Sequence, residues 1–138
     1  MRTAIETNVL SVLLDGQAQG RDALVVLRYL EAQGPLLICG VVYAELHGRQ
    51  DTPPDLIERF LQGTGIELDS VSSRDIWEEA GRANASQHAR RRRGGIPGVR
   101  PVLPDLLIGA HALHRADRLL TRNTGDFSDF PALELITY

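Results

Sequence analysis

Acidic side chains follow several separate segments of this chain whose composition is typical of strands or helix starts. They are Glu6, Glu45, Asp105 and Asp126, the last paired with Asn123 in one loop. A parallel α/β fold brings such positions to one edge of its sheet. Because carboxylates repel each other, a cluster of them is stable only when protons or divalent cations share the site. The spacing therefore favours an enzyme that depends on Mg²⁺ or Mn²⁺.

Length and composition predict a single domain over residues 1–138. A hydrophobic fraction of 43% is enough for a core without disulfides or structural metal. Cys39 is the only cysteine, which excludes an intramolecular disulfide and favours a reducing, cytoplasmic setting. No stretch resembles a signal peptide, and no apolar run approaches the roughly 20 residues that span a bilayer, so we expect no membrane partner.

All 15 basic residues are arginine, and the chain contains no lysine. A P-loop needs a phosphate-binding lysine and a Schiff-base enzyme needs an amine, so both chemistries are excluded. Receiver domains and haloacid-dehalogenase phosphatases also gather carboxylates at strand ends, but they normally place a lysine beside them. The absence of lysine therefore argues against both.

Apolar runs bounded by glycine, proline and capping residues predict alternating strands and helices. Strands are predicted over residues 3–6, 36–39, 66–68, 118–121 and 133–137. Helices are predicted over about 7–14, 21–33, 41–48, 54–62 and 72–92 and from 104, with a loop over 94–101. This alternation is typical of an α/β fold whose parallel sheet is covered on both faces.

Glu45 is the most informative acid, because it shares a predicted helical face with Val41 and Val42. We expect that face to point at the sheet. A carboxylate there must be neutralised, paired or metal-bound, since an unpaired buried charge costs several kcal/mol. The alternative is a salt bridge with a nearby arginine.

The other acids also have structural interpretations. Asp105 suits the first turn of a helix, where the macrodipole favours negative charge. Glu6 could be a solvated strand end, Asp126 a turn residue after Gly125, and Asn123 a partner of its own loop. The functional hypothesis rests on their convergence.

Four motifs, in order, resemble those of PIN-domain nucleases. Ile5–Leu10 is similar to the opening motif of the family, in which Asp-Thr-Asn precedes apolar residues. Val42–Leu46, Leu103–Ala112 and Leu120–Phe127 resemble the second, third and fourth motifs. The resemblance covers nearly the whole chain and is strongest to VapC-type toxins of toxin–antitoxin pairs.

This resemblance implies a three-layer α/β/α sandwich with a central parallel sheet. It also implies a toxin that is a divalent-metal-dependent endoribonuclease, hydrolysing RNA phosphodiester bonds with activated water. The cofactor would be Mg²⁺ or Mn²⁺, and the partners a cognate antitoxin and a second copy in a homodimer. Carried over by position, the catalytic metal ligands would be Glu6, Glu45, Asp105 and Asp126, oriented by Thr7, Asn8, Thr121 and Asn123.

The chain departs from the family pattern at Glu6, where the first acid is normally aspartate. The extra methylene moves the carboxylate by roughly 1.5 Å, and a misplacement of about 1 Å can cost ~100-fold in rate. A second departure is Asn123, where many relatives carry an acid. The alternative function is therefore a catalytically weakened PIN-like domain that acts through protein or RNA binding.

RNA contacts are predicted at the basic side chains Arg90, Arg91, Arg92, Arg93 and Arg100. A chain with a formal charge of −3 needs such a patch to bind a polyanion. The alternative is a solvated helix end, where the helix dipole favours cations. Trp77 and the three tyrosines are too few and too scattered in sequence to predict a base-stacking surface.

Overall fold

One parallel sheet of five strands organises the part of the chain that the structure, a computed structural model, describes: residues 1–93 and 102–138. The strands are β1 (Thr3–Ile5), β2 (Leu36–Cys39), β3 (Ile66–Asp69), β4 (Arg118–Leu120) and β5 (Glu134–Ile136). The helices are α1 (Thr7–Leu14), α2 (Gly20–Glu31), α3 (Gly40–His47), α4 (Pro54–Thr64), α5 (Arg74–Arg92) and α6 (Leu103–Arg115). A 3₁₀ turn spans Thr124–Phe127. The helices flank the sheet, which confirms the predicted three-layer α/β/α fold.

The strand order is β3-β2-β1-β4-β5, and every neighbouring pair is parallel. The chain builds outward from β1 to β3 on one side, then crosses to β4 and β5 on the other. The order therefore reverses at β1, and the crevice at the carboxyl ends of β1 and β4 is where open α/β sheets bind ligands. Ile5 pairs with Leu120, so the residues that follow both strands lie side by side.

Each strand has only three or four residues. All four residues of β2 are buried, as its continuous apolar run predicts. Strand β1 ends at Ile5, one residue earlier than predicted, because extended Glu6 is the N-cap of α1. Strand β4 likewise ends at Leu120 and leaves Thr121 outside.

The helices follow the predicted pattern, with boundaries shifted by one or two residues. Pro54 opens α4 and left-handed Gly65 ends it, as proline and glycine commonly do. The predicted loop over 94–101, which includes Arg100, lies outside the described residues. Within the described ranges, every helix is too short or too polar to cross a membrane.

Candidate metal centre

Three carboxylates converge at the point where the strand order reverses. Glu6, Asp105 and Asp126 each offer an oxygen atom, and these atoms all lie within 4.8 Å of one another. Glu6 follows β1, Asp126 lies in the 3₁₀ turn after β4, and Asp105 is in the first turn of α6. Positions separated by up to 120 places in the sequence are thus brought together by the pairing of β1 with β4.

Glu6 is the most constrained member of this acidic cluster. Its backbone N–H donates to the Leu120 carbonyl at 3.0 Å, and only 6% of the residue is exposed. The Thr121 hydroxyl donates a hydrogen bond to Glu6 Oε2. Burial, assisted by the charges of Asp105 and Asp126, raises the pKa of the Glu6 carboxyl to about 7. Without a cation, the Glu6 carboxyl therefore keeps its proton to a higher pH than an exposed glutamate does.

Thr121 and Asn123 link Glu6 to Asp126. Thr121 Oγ1 accepts the backbone N–H of Asn123 at 2.9 Å while its proton is directed to Glu6. The Asn123 side chain donates from Nδ2 to Asp126 Oδ2 at 2.7 Å. Burial raises the pKa of Asp126, and the charge of Asp105 adds to the effect. Thr121 and Asn123 therefore fix the orientation of two carboxylates that repel each other.

Asp105 combines a structural contact with its place in the cluster. Its Oδ2 accepts the Val102 backbone N–H at 3.1 Å, so the acid also closes the first turn of α6. The structural interpretation from the sequence is correct for this oxygen, and it does not compete with the functional one. Fixing one oxygen restricts where the other can point.

Asn8 gives a further sign that the cluster is built for a cation. Its side chain also hydrogen-bonds Glu6, yet its Oδ1 is buried and has no hydrogen-bond partner among the described residues. An unpaired buried acceptor is costly, so this oxygen calls for a cation or a water molecule as its partner. All the donor atoms in reach are oxygens, the ligands that Mg²⁺ and Mn²⁺ prefer. The residues present therefore fit a hard divalent cation.

Glu45 does not lie where the sequence predicted. Its side chain is exposed rather than directed at the sheet, because the buried positions of α3 are Val42 and Leu46. At 3.6 residues per turn, Glu45 lies about 60° from Val42 and about 100° from Leu46 around the helix. It is not among the three acids within 4.8 Å, but Thr7 Oγ1 donates to its Oε1 at 2.7 Å. Glu45 is thus linked to the cluster indirectly, because its hydrogen-bond partner Thr7 is the residue that follows Glu6 in the sequence.

The predicted alternative for Glu45 is not supported either. No arginine of residues 1–93 or 102–138 forms an ion pair with its carboxylate. The residues predicted to orient the ligands, Thr7, Asn8, Thr121 and Asn123, each contact a carboxylate of the predicted set. Their roles in catalysis stay predictions.

Arg90, the first of the predicted RNA-binding arginines, is already paired. Its guanidinium donates to both carboxylate oxygens of Asp129, with Nη2 to Oδ2 at 3.1 Å. Only 1% of the Asp129 side chain is exposed. Arg82 also donates to the Asp129 backbone carbonyl at 3.2 Å. Arg90 is therefore a structural anchor, and among the described arginines of the run the RNA-contact prediction rests on Arg91, Arg92 and Arg93. Arg100 is outside the described residues.

The ion pair of Arg90 with Asp129 holds the segment that carries Asp126. The sequence did not predict this pair. Phe127 and Phe130 of the segment are each 1% exposed, and Asp129 lies between them. Phe130 packs so closely on α6 that a Cβ at Gly109 would meet its ring at 2.4 Å. The available signal was an acid enclosed by aromatic residues in Phe127–Phe130, which marks a buried carboxylate that needs a cation.

Several solved structures contain a chain with a similar fold. A chain of the VapBC2 complex from Rickettsia felis, bound to a DNA fragment from its promoter, matches with a TM-score of 0.73 and 23% identity, over 100% of this chain and 99% of that one. A chain of VapBC-1 from nontypeable Haemophilus influenzae matches with a TM-score of 0.66 and 20% identity, over 99% and 98%. This chain has the PIN-like fold.

A toxin–antitoxin complex from Klebsiella pneumoniae also contains a similar chain, with a TM-score of 0.60 and 27% identity over 98% of this chain and 96% of that one. The predicted resemblance to toxin chains of VapBC complexes is therefore confirmed at the level of the fold. The sequence itself matches no family model and none of the curated proteins compared with it.

Proposed function

We propose that the protein is a divalent-metal-dependent endoribonuclease and the toxin component of a toxin–antitoxin module. The observation that carries this proposal is the convergence of Glu6, Asp105 and Asp126 at the strand-order reversal. A cluster of three acids, one of them with a pKa of about 7, is costly to build without a cation to bind. The fold shared with chains of VapBC complexes supports the same function.

In this proposal Glu6, Asp105 and Asp126 hold Mg²⁺ or Mn²⁺, and Glu45 contributes from the side through its contact with Thr7. When bound, such a cation offsets the charge that develops on the phosphate and makes water a better nucleophile. Thr121 fixes the orientation of the Glu6 carboxylate and Asn123 that of Asp126, each through one hydrogen bond. Arg91, Arg92 and Arg93 supply positive charge for the RNA backbone.

The proposed partners are an antitoxin and a second copy of the chain, in a cytoplasmic complex. Support comes from the similar structures, which are toxin–antitoxin complexes. Helix α2 also leaves Val25 and Tyr29, one turn apart, 69% and 67% exposed. Apolar side chains exposed to this extent suit contact with another protein.

The first experiment is cleavage of a pool of structured and single-stranded RNA by the purified chain, with Mg²⁺, Mn²⁺ or EDTA. Asp105→Asn keeps the size of the side chain and its capping oxygen but removes the charge, so it is the matched control for contaminating nuclease. Cleavage that needs metal and is lost in this variant is the expected result. Metal-independent cleavage, or cleavage that persists in Asp105→Asn, would refute the proposal.

The second candidate function is a catalytically weakened PIN-like domain that binds protein or RNA. It is favoured by Glu6, whose longer side chain is buried and hydrogen-bonded to Thr121 rather than free to adjust. Glu6→Asp distinguishes the two. Cleavage that appears or rises in this variant favours the weakened domain, whereas cleavage that falls shows that the glutamate is adapted to the site.

A further inference from the structure

A cavity of about 230 Å³ opens at the same edge of the sheet as the acidic cluster. It lies between the carboxyl ends of β2 and β3 and the helices α5 and α6. Cys39 on its wall ends β2, the strand next to β1, and β1 leads to Glu6. Leu107 on the opposite wall is two residues beyond Asp105 on α6. Because two residues of a helix turn by about 200°, Leu107 and Asp105 leave α6 on different faces, and a ligand that reaches both places must extend across the first turns of α6.

Trp77 forms an open side of this cavity and is the only tryptophan in the chain. It is 54% exposed, which is unusual for so large an apolar side chain. Its indole N–H is occupied, because Nε1 donates to the Ser72 carbonyl at 3.1 Å. The hydrogen bond holds the indole in place and uses its only donor, so the exposed part of the ring can bind a ligand only by packing against it.

The lining of the cavity is apolar and carries no net charge. Val71, Ile76 and Leu107 supply aliphatic walls. The ionisable groups that face it are few: the Cys39 thiol, whose pKa burial raises, and His111, whose pKa burial lowers, so that both are neutral near pH 7. Such a lining rejects a phosphate or carboxylate, which would lose its hydration without gaining a counter-charge.

Hydrogen-bonding groups nevertheless remain available at the cavity. The exposed hydroxyls of Ser70 and Ser72 at its rim bond no other residue in the described ranges. His111 Nε2 lies 3.1 Å from Asp69 Oδ2 and its Nδ1 is buried, so the two serine hydroxyls are the groups that can hydrogen-bond a ligand at the rim. A neutral planar ring with polar edges satisfies this combination. The volume is below the roughly 300–1,000 Å³ of pockets for drug-sized ligands, which favours one ring system.

We propose that this cavity receives one unpaired nucleobase of the RNA strand, stacked on Trp77, while the neighbouring backbone lies at the acidic cluster. This inference rests on the proposed function, because it assumes that RNA is the substrate. In this arrangement, charged groups at the cluster and in the arginine run contact phosphate, and the cavity contacts a base. Proteins recognise RNA in this way in single-stranded regions, where the bases are unstacked and can bind in a pocket.

The single tryptophan makes the test direct. Trp77 emission is followed while the full chain is titrated, in EDTA, with a short single-stranded RNA of mixed sequence. The same titration is repeated with an abasic oligonucleotide that has equal length and charge. We expect the RNA to quench and shift the emission and the abasic strand to leave it unchanged. Equal quenching by both strands would show that phosphates, not bases, approach Trp77, and would overturn the proposal.

Variants supply a second readout through the anisotropy of labelled RNA. Base–aromatic stacking predicts that Trp77→Ala weakens RNA binding by roughly tenfold. Trp77→Phe keeps an aromatic face and should lose less, and Tyr138→Ala, which removes an exposed aromatic ring outside the cavity, should lose nothing. Because no phosphate contact is removed, the salt dependence of binding should be the same in all of them. Unchanged affinity in Trp77→Ala would refute the base pocket.

The outcomes also separate this inference from the proposed function. Base-dependent quenching by a chain that cleaves no RNA in any metal would keep the pocket and refute the nuclease. Metal-dependent cleavage with no base-dependent change at Trp77 would do the reverse. Quenching by an antitoxin segment but not by RNA would assign the cavity to a protein partner and overturn the proposal.

Discussion

Replacing Gly109 with alanine is a sensitive test of how the acidic cluster is positioned. Gly109 lies one turn after Asp105 on α6, and Phe130 lies four residues after Asp126. A Cβ at Gly109 would meet ring carbons of Phe130 at 2.4, 2.7 and 3.0 Å. Because Phe130 is 1% exposed, its ring has no free space to turn into. The substitution must therefore separate the two elements that carry Asp105 and Asp126.

The expected magnitudes follow from these distances. Ordinary carbon contacts start near 3.5 Å, so the ring has to move by about 1 Å. Overpacking of this kind costs typically ~1–3 kcal/mol, while removing a glycine from a helix returns up to ~1 kcal/mol. We expect a net loss of ~1 kcal/mol in the free energy of unfolding. A displacement of about 1 Å at a catalytic group can lower the rate ~100-fold, so cleavage should fall much more than stability.

The assay compares Gly109→Ala with Gly81→Ala in α5, where an added Cβ meets nothing within 4 Å. Mn²⁺ affinity by titration calorimetry, RNA cleavage and the urea-unfolding free energy are measured for both. Gly81→Ala should keep affinity and rate and gain stability. The double variant Gly109→Ala/Phe130→Leu should recover part of the lost Mn²⁺ affinity. If Gly109→Ala behaves like Gly81→Ala in all three measurements, the packing of α6 against Phe130 does not position the cluster.

Two further predictions concern stability. Arg90→Ala should lower the free energy of unfolding by ~2–3 kcal/mol, because it leaves the buried Asp129 carboxylate without its cation, whereas Arg91→Ala should change it by less than ~0.5 kcal/mol in the same urea titration. Glu6→Gln should stabilise the metal-free protein at pH 8. The folded pKa of Glu6 is about 7 against an ordinary 4.5, so folding favours the protonated form, and the stability it contributes at low pH is lost as the pH rises through about 7. This difference in pKa corresponds to a stabilisation of ~3 kcal/mol at most, which thermal unfolding in EDTA would measure. The extra stability of Glu6→Gln should vanish near pH 4. Equal extra stability at pH 4 and pH 8 would contradict burial of the Glu6 charge as its cause.

The sequence predicted the fold because its signals are local. Each strand is a short apolar run with a turn residue beside it, and each helix has a recognisable start or stop. The acids Glu6, Asp105 and Asp126 were found for the same reason, since residues that follow parallel strands, or begin the helices between them, meet at one edge. Predicting that they converge required only the alternation of elements, whereas the pairing of β1 with β4, which brings them together, could not be read from the sequence.

Glu45 shows where such reasoning reaches its limit. Helix α3 has only eight residues, and its apolar positions Val41, Val42 and Leu46 allow more than one choice of buried stripe. A choice wrong by one residue rotates the helix by about 100°, enough to move Glu45 from the sheet to solvent. The pair of Arg90 with Asp129 and the contact of Gly109 with Phe130 were missed for another reason: they join residues 39 and 21 positions apart, which no local pattern connects.

The position of β1 in the middle of the sheet gives the two halves of the acidic cluster different local stabilities. Glu6 continues a strand that is hydrogen-bonded on both sides, and its own amide donates to Leu120. Asp126 belongs to a turn between β4 and the edge strand β5. Amide exchange should therefore be slowest beside Glu6 and faster around Asp126, because edge segments open without global unfolding. On warming, the cluster should come apart from the side of Asp126 while the central strand is still folded.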